Sequence, residues 1–125
     1  MRQVIGAPDV PGSSLFSQGV RAGDFVYVSG LVGIDVSTGE LAGTSIQEQT
    51  RQALTNCRSV LMEAGATLDD VIEVGVLLTH SSDFAGMNEE YTSWFPVAPP
   101  ARYVAKLGVE IPGLLVSIRI TAHLS

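Results

Sequence analysis

The stretch Pro99-Pro100-Ala101-Arg102-Tyr103-Val104 sets the course of the C-terminal part of this chain. Two prolines fix φ and force the residues before them into extended conformations, so the chain is predicted to reach Arg102 as a strand. Apolar residues surround the arginine, and a guanidinium cannot lose its charge when it is buried. Two interpretations follow. Arg102 pairs with a surface carboxylate, or its planar fork takes the carboxylate of a substrate.

The elements around this stretch follow from periodicity. A strand is predicted over 102–107, a loop over 108–113 and a last strand over 114–124. Alternation divides that last strand into a face with Ser117 and Arg119 and a face with Ile118 and Ile120. Upstream, Ser81-Ser82-Asp83 is predicted to cap a helix that Pro96 ends. The inner face of that helix is predicted to carry Phe84, Met87, Tyr91 and Trp94 or Phe95.

The first helix has the clearest signals. Ser45 and Glu48 form a capping-box pattern, apolar residues recur at intervals of three and four, and Gly65 occupies the C′ position. Cys57 lies in the apolar stripe, which favours a buried structural thiol over a nucleophile. Residues 71–79, which follow, are β-branched and apolar and predict a central strand.

The N-terminal part is predicted to contain several strands. Residues 16–20 alternate, Gly23-Asp24 is a hairpin signal, and residues 25–30 are apolar on both faces, which indicates a strand covered on each side. A short strand over 31–35 leads to a turn at 37–40. Residues 1–15 show no clear period and are predicted to be an extended lead-in.

Together these elements predict an α+β fold, a single mixed sheet with two helices packed on one face, in one domain spanning residues 1–125. The helices leave the other sheet face open. Charged residues make up only 16% of the chain, so we expect this face to be buried against another subunit of an oligomer.

Composition also restricts the function. The net charge is −6 without a basic cluster, which disfavours nucleic acid as a partner. One cysteine, no apolar leader and no apolar run of membrane-spanning length indicate a cytoplasmic protein without a membrane partner. Phosphate-loop, dinucleotide, CxxC and HExxH motifs are absent, and the two histidines stand apart from the cysteine, so no cofactor and no metal are expected.

Several segments resemble the RidA (YjgF) family in one unbroken order from about residue 14 to the C-terminus. The segment at 16–20 resembles the family's YSQAV, Val28-Ser29-Gly30 its VSGQ, and 38–40 its TGE turn. The helix segment 49–56 resembles QTRQALEN, 83–91 resembles DFAAMNEVY, and Pro100-Ala101-Arg102 resembles the PAR signature. The combination of motifs identifies the chain as a member of that family.

The resemblance implies a homotrimer similar to the chorismate-mutase fold, with three clefts between subunits. It also implies hydrolysis of reactive enamines and imines to 2-keto acids and ammonia. Arg102 then matches the arginine that holds the substrate carboxylate, Ser29 and Gly30 match small cleft residues, and Asn88 matches the helix asparagine.

The chain also departs from the family pattern. Phe16 replaces a tyrosine, Leu31 a glutamine and Val104 the cysteine of the deaminase branch. The glutamate of the last strand, which orients the attacking water in that branch, falls on Ser117 or Arg119 depending on the alignment. The predicted site therefore consists of the catalytic Arg102 and a set of substrate-binding residues: Phe16, Ser29, Gly30, Asn88, Val104, Ser117 and Arg119.

Two functions follow as expectations. The first is an enamine or imine deaminase acting on a small carboxylate metabolite, and the alternative is a non-catalytic trimer that binds such a carboxylate for regulation. A ribonuclease, a label some family members carry, is disfavoured by the negative charge. Arg119 either brings a second positive charge close to Arg102, which would favour a dicarboxylate, or pairs with an acid such as Glu110 or Glu73.

Overall fold

The computed structural model describes all 125 residues. Its strands are β1 (Arg2–Ile5), β2 (Gly19–Ala22), β3 (Phe25–Val32), β4 (Ile34–Asp35), β5 (Glu40–Leu41), β6 (Val71–Leu78), β7 (Ala101–Lys106) and β8 (Val116–His123). Its helices are α1 (Ile46–Glu63) and α2 (Phe84–Trp94), and short 3-10 turns occur at Leu68–Asp70 and Ser81–Asp83.

Six strands form one mixed sheet in the order β1-β2-β3-β8-β6-β7. Only β6 and β7 pair in parallel, because α2 carries the chain back between them; the other pairs are antiparallel. The strands β4 and β5 form a separate small hairpin. The predicted fold class, a mixed sheet with two helices, is confirmed.

The core lies between the helices and one face of the sheet. In β8 the side chains of Val116, Ile118, Ile120 and Ala122 are fully buried, whereas Ser117 and Arg119 between them are half-buried. This is the division that strand alternation predicts. The opposite sheet face is open in this chain: Phe25 and Tyr27 of β3 are 40% and 44% exposed, so only one face of β3 is covered here.

The predicted limits of the helices agree with the structure, but one cap differs. Ser45 and Glu48 form the capping box of α1, and Gly65 follows its end with a φ of +83°. Asp83 precedes α2 without a side-chain cap hydrogen bond, because the 3-10 turn Ser81–Asp83 leads into the helix through backbone bonds instead. Phe84 lies on the inner face of α2 as predicted, with its ring 5.9 Å from the Arg102 guanidinium carbon of the neighbouring strand β7, but it is 46% exposed and so lies at the margin of the core.

The N-terminal strands begin and end elsewhere than predicted. The second strand starts at Gly19, and Phe16 lies in the preceding loop. Arg2–Ile5, which belongs to the predicted extended lead-in, forms a strand that pairs with β2 at the sheet edge. An edge strand with three exposed residues has no alternating pattern to detect, and its backbone pairing alone holds it. Neither helix is long and apolar enough to cross a membrane.

Candidate functional site

Arg102 lies in the edge strand β7, on the side of the sheet that faces the helices. Its neighbour in β6 is the fully buried Val74. The guanidinium Nη1 donates a 2.6 Å hydrogen bond to Oδ1 of Asn88 in α2. The guanidinium carbon lies 4.8 Å from the ring centroid of Tyr91 and 5.9 Å from that of Phe84. An amide oxygen and an aromatic face therefore fix the orientation of the fork.

No carboxylate neutralises Arg102. The two ion pairs of the chain join Arg51 to Glu90 and Arg119 to Glu73. A guanidinium carries five N–H donors, and the bond to Asn88 is the only side-chain hydrogen bond that Arg102 makes. A half-buried cation with free, coplanar donors is suited to bidentate binding of a carboxylate.

The buried ring of Tyr91 packs against the Arg102 guanidinium from the core side. Its side chain is 6% exposed and its hydroxyl has no hydrogen-bond partner. Burial raises the pKa of the Tyr91 phenol, and the nearby Arg102 charge opposes that shift only in part. The sequence predicted Tyr91 only as a core residue. Its spacing of three from Asn88, which places both on one helix face, is the signal that links it to the site.

A cavity of about 370 Å³ adjoins this cluster. Its lining residues come from the end of β6, the 3-10 turn before α2, the start of α2, and β7: Leu78, Ser81, Phe84, Val104, Ala105 and Lys106. Val104, predicted in the site, forms part of its wall and packs against the core. No acidic side chain lines the cavity, and its only charged lining residue is Lys106.

Three of the other predicted residues line a second, larger cavity of about 480 Å³. Phe16, Gly30 and Ser117 line it together with Leu31, and apolar residues of the loop before β8 close one side. Ser29 is not among its lining residues. The Ser29 Oγ donates a 2.6 Å hydrogen bond to the Ser17 carbonyl, which anchors the loop that carries Phe16.

Two buried amides of α1 hold the main chain around this larger cavity. Gln49, fully buried, donates to the carbonyls of Gly43 and Gly113 and accepts a bond from the Leu115 N–H. Asn56 donates to the carbonyls at both ends of the β3–β4 connection and itself lines the cavity. The sequence motif over 49–56 contains both residues but does not indicate that they bind these carbonyls. An amide among apolar helix positions is the signal for such a role, because a buried amide needs partners.

Within one chain the two groups of predicted residues are separate. Gly30 is in β3 and Arg102 is in β7, and two strands lie between them, which corresponds to about 14 Å of sheet. They also lie on different faces. A Cβ on Gly30 would meet the Ser117 hydroxyl on the open face, whereas Arg102 lies beside Val74 under the helices.

Arg119 belongs to neither cavity. Its Nη1 lies 3.2 Å from Oε1 of Glu73, and its Nη2 donates a 3.0 Å bond to the Thr121 hydroxyl on the open sheet face. Of the two alternatives that the sequence left open, the pairing with Glu73 is the one present in the chain. Arg102 is on the opposite face of the sheet, so the two guanidiniums of one chain do not converge.

Cys57 is fully buried, and burial raises the pKa of its thiol to about 12. A thiol in that state is not a nucleophile at neutral pH. No group of three or more histidine, cysteine, aspartate or glutamate side chains is arranged to hold a metal ion.

Comparison with known proteins shows which family this sequence belongs to. The family model described as endoribonuclease L-PSP matches residues 8–124. This chain is a member of the RidA (YjgF) family. A RutC family protein of Pyrococcus horikoshii is 37% identical over 124 residues, covering 98% of both chains. The mouse 2-iminobutanoate/2-iminopropanoate deaminase is 33% identical over 98% of this chain and 91% of its own length.

Solved structures of similar proteins have the same fold. A Rid-family protein of unknown function from Yersinia pestis superposes with a TM-score of 0.92 at 29% identity, covering 99% of this chain and all of its own. TdcF from E. coli, solved with bound serine, has a TM-score of 0.91 at 28% identity, covering 98% of this chain and 99% of its own.

Proposed function

We propose that this protein hydrolyses 2-imino acids and their enamine tautomers to 2-keto acids and ammonia, with the substrate carboxylate bound by Arg102. The observation that carries the proposal is the state of Arg102: its guanidinium is oriented by Asn88 and Tyr91 and has no carboxylate partner. Similarity to a mouse imine deaminase and to a TdcF structure with bound serine supports a small substrate that carries a carboxylate.

The fork of Arg102 supplies binding and orientation. Two parallel N–H donors bind the two carboxylate oxygens, which leaves C2 of the substrate at a fixed distance from the guanidinium. Asn88 accepts a 2.6 Å bond from Nη1, so the donors on Nε and Nη2 have no partner in the chain and are available to a substrate carboxylate. The aromatic face of Tyr91 limits rotation of the guanidinium plane.

The chemistry then requires little of the protein. An enamine first tautomerises to the imine by moving a proton from nitrogen to carbon. Water adds its oxygen to C2 while a water proton goes to nitrogen, and the resulting carbinolamine expels ammonia as its hydroxyl proton moves to the leaving nitrogen. The net reaction consumes one water and releases one keto acid and one ammonia. Neither cavity is lined by an aspartate, glutamate or histidine, so positioning rather than a strong side-chain base is the protein's contribution.

We place the complete site between two subunits of a homotrimer. Arg102, Asn88 and Val104 come from one chain, and Phe16, Ser29, Gly30 and Ser117 come from its neighbour. The separation of these groups within one chain supports this assignment, because no single chain brings both groups to the same ligand. The open sheet face with Phe25 and Tyr27 is the apolar surface available for the contact between subunits.

One further observation favours the alternative function, binding without turnover. Phe16 lines the larger cavity with a ring that lacks the hydroxyl of the family tyrosine, and Ser117 lines it without a carboxylate. A trimer that binds a keto or amino acid for regulation would need Arg102 and no group that activates water.

A coupled assay tests the proposal. A serine or cysteine dehydratase generates 2-aminoacrylate, and release of ammonia and pyruvate is followed with and without added protein. We expect acceleration by the wild type and a loss of at least about tenfold for Arg102→Lys, since lysine keeps the charge but cannot make two parallel hydrogen bonds. Arg21→Lys, at a half-buried cation of β2 that makes no ion pair, is the matched control and keeps the wild-type rate.

The outcomes separate the two functions. No acceleration by the wild type, together with Arg102-dependent binding of pyruvate by calorimetry, supports the regulatory alternative and contradicts the deaminase. Equal rates for the wild type and Arg102→Lys, with unchanged thermal unfolding, would mean that Arg102 is a structural residue.

A further inference from the structure

Lys106 lies on the same side of β7 as Arg102. Side chains alternate along a strand, so Arg102, Val104 and Lys106 face the helices, and their neighbours in β6 are the buried Val74, Val76 and Leu78. The Cα atoms of Arg102 and Lys106 are four residues apart, which is about 13 Å along a strand. A lysine stem of four methylenes is long enough to bring its ammonium group toward Arg102 across Val104.

The cavity of about 370 Å³ is lined by Lys106 and reaches the neighbourhood of Arg102 at the ring of Phe84, although Arg102 itself is not a lining residue. Lys106 lines it, and so does Phe84, whose ring centroid is 5.9 Å from the guanidinium carbon of Arg102. Val104 and Phe84 give the cavity an apolar wall, and Ser81 of the 3-10 turn before α2 also lines it. A ligand that fits this space carries a negative charge at each end and methylene groups between them.

Neither cation is neutralised by the chain. The ion pairs use Arg51 and Arg119, and Lys106, the only lysine, makes no salt bridge and no side-chain hydrogen bond. In a protein with a net charge of −6, an acid-free cavity flanked by two unpaired cations is a local positive region. Arg119, the second cation that the sequence suggested, is on the other face of the sheet and is paired with Glu73.

We propose that Lys106 determines specificity by binding a second carboxylate, so that the preferred substrates are 2-imino dicarboxylic acids of about five carbons. The inference rests on the proposed role of Arg102 as the clamp for the carboxylate next to the imine carbon. The side-chain carboxylate then lies at Lys106, with the Ser81 hydroxyl at the same end of the cavity. The methylenes in between contact Val104 and Phe84.

Binding of stable keto-acid products tests this assignment without turnover. Calorimetric titration compares 2-oxoglutarate with 2-oxopentanoate, which has the same chain length but lacks the second carboxylate. We expect the wild type to bind 2-oxoglutarate about fivefold to tenfold more tightly, the range for a partly exposed charge pair. The preference should shrink as salt rises.

Two substitutions make the test specific. Lys106→Gln should remove the preference, so that 2-oxoglutarate and 2-oxopentanoate bind with similar affinities. Arg2→Gln removes the same charge from β1, at the opposite edge of the sheet, and should keep the preference. A wild type without preference, or a preference that survives Lys106→Gln, overturns the proposal.

Failure of the deaminase proposal can be distinguished from failure of the Lys106 proposal. If 2-aminoacrylate is not hydrolysed faster but the Lys106-dependent preference is present, the protein is a dicarboxylate-binding protein and not an enzyme. If hydrolysis is accelerated and the preference is absent, the deaminase stands and Lys106 has no part in specificity.

Discussion

Oδ1 of Asn88 accepts a 2.6 Å hydrogen bond from Nη1 of Arg102, although the two residues lie on different elements, α2 and β7. A neutral amide orients the guanidinium without neutralising it. A carboxylate at the same position would form an ion pair and occupy the fork. The choice of asparagine at position 88 therefore keeps Arg102 available for an external anion.

Asn88→Asp should abolish carboxylate binding through this competition. We expect the affinity for 2-oxobutanoate to fall at least about tenfold, because an internal carboxylate is held next to the guanidinium at high effective concentration. Calorimetry measures the loss. Thr92→Asp adds the same charge to an exposed position of α2 and should bind as the wild type does. Undiminished binding by Asn88→Asp would show that the ligand does not use this fork.

Gln49→Leu should destabilise the fold. The substitution leaves the Gly43 and Gly113 carbonyls and the Leu115 N–H without their partner in a buried region. We expect the free energy of unfolding to fall by about 2–4 kcal/mol, measured by urea denaturation. Gln52→Leu is the matched control, because the Gln52 amide is bonded only to the Asn56 side chain and its loss should cost much less. Equal losses for the two variants would contradict the role given to Gln49.

Most of the fold could be predicted because local signals agree with it. The capping box of α1 is contained within four consecutive residues, and the alternation of β8 reports one buried face directly. The edge strand β1 could not be predicted, since its three exposed residues have no pattern and only pairing with β2 orders them. The 46% exposure of Phe84 could not be predicted, because an aromatic residue at the start of a helix fits the apolar stripe whether it is buried or half-exposed.

The candidate site was predictable only where a motif names its residues. Arg102 and Asn88 come together as their motifs imply. The contact of Arg102 with Tyr91 and the position of Lys106 depend on how α2 packs on β7, and periodicity does not contain that information. The relation of Arg119 to Arg102 likewise depends on which sheet face each side chain occupies across three strands.

Arg119→Ala should leave ligand binding intact. Arg119 is paired with Glu73 on the open face and lines neither cavity, so titrations with pyruvate and with 2-oxoglutarate are expected to give wild-type affinities. The same experiment on Arg102→Ala provides the positive control. A selective loss of 2-oxoglutarate affinity in Arg119→Ala would place Arg119 in the assembled cleft after all.

Acid should weaken the fold in part through Glu90. The hydrogen bond from Arg51 is the main cause that lowers the pKa of the Glu90 carboxyl below its ordinary value of 4.5, although partial burial acts in the opposite direction. A carboxyl with a depressed folded-state pKa stabilises the fold above its unfolded pKa and loses that contribution as the pH falls through the folded value. Urea denaturation from pH 6 down to pH 3 should therefore show a steeper fall for the wild type than for Glu90→Gln. The difference is small because the pair is at the surface, and parallel curves would contradict it.

Subunit mixing tests most directly whether Arg102 of one chain and the Gly30 cavity of another form a single site. Arg102→Lys removes the fork, and Gly30→Phe fills the larger cavity, so each variant alone should bind pyruvate weakly and hydrolyse 2-aminoacrylate slowly. When the two variants are refolded together in equal amounts, a cleft is unaltered if one chain supplies Arg102 and its neighbour supplies Gly30. Random assembly gives this combination in roughly a quarter of the clefts, and we expect about that fraction of wild-type activity and binding to return. A mixture no more active than its components would contradict a site built from two chains.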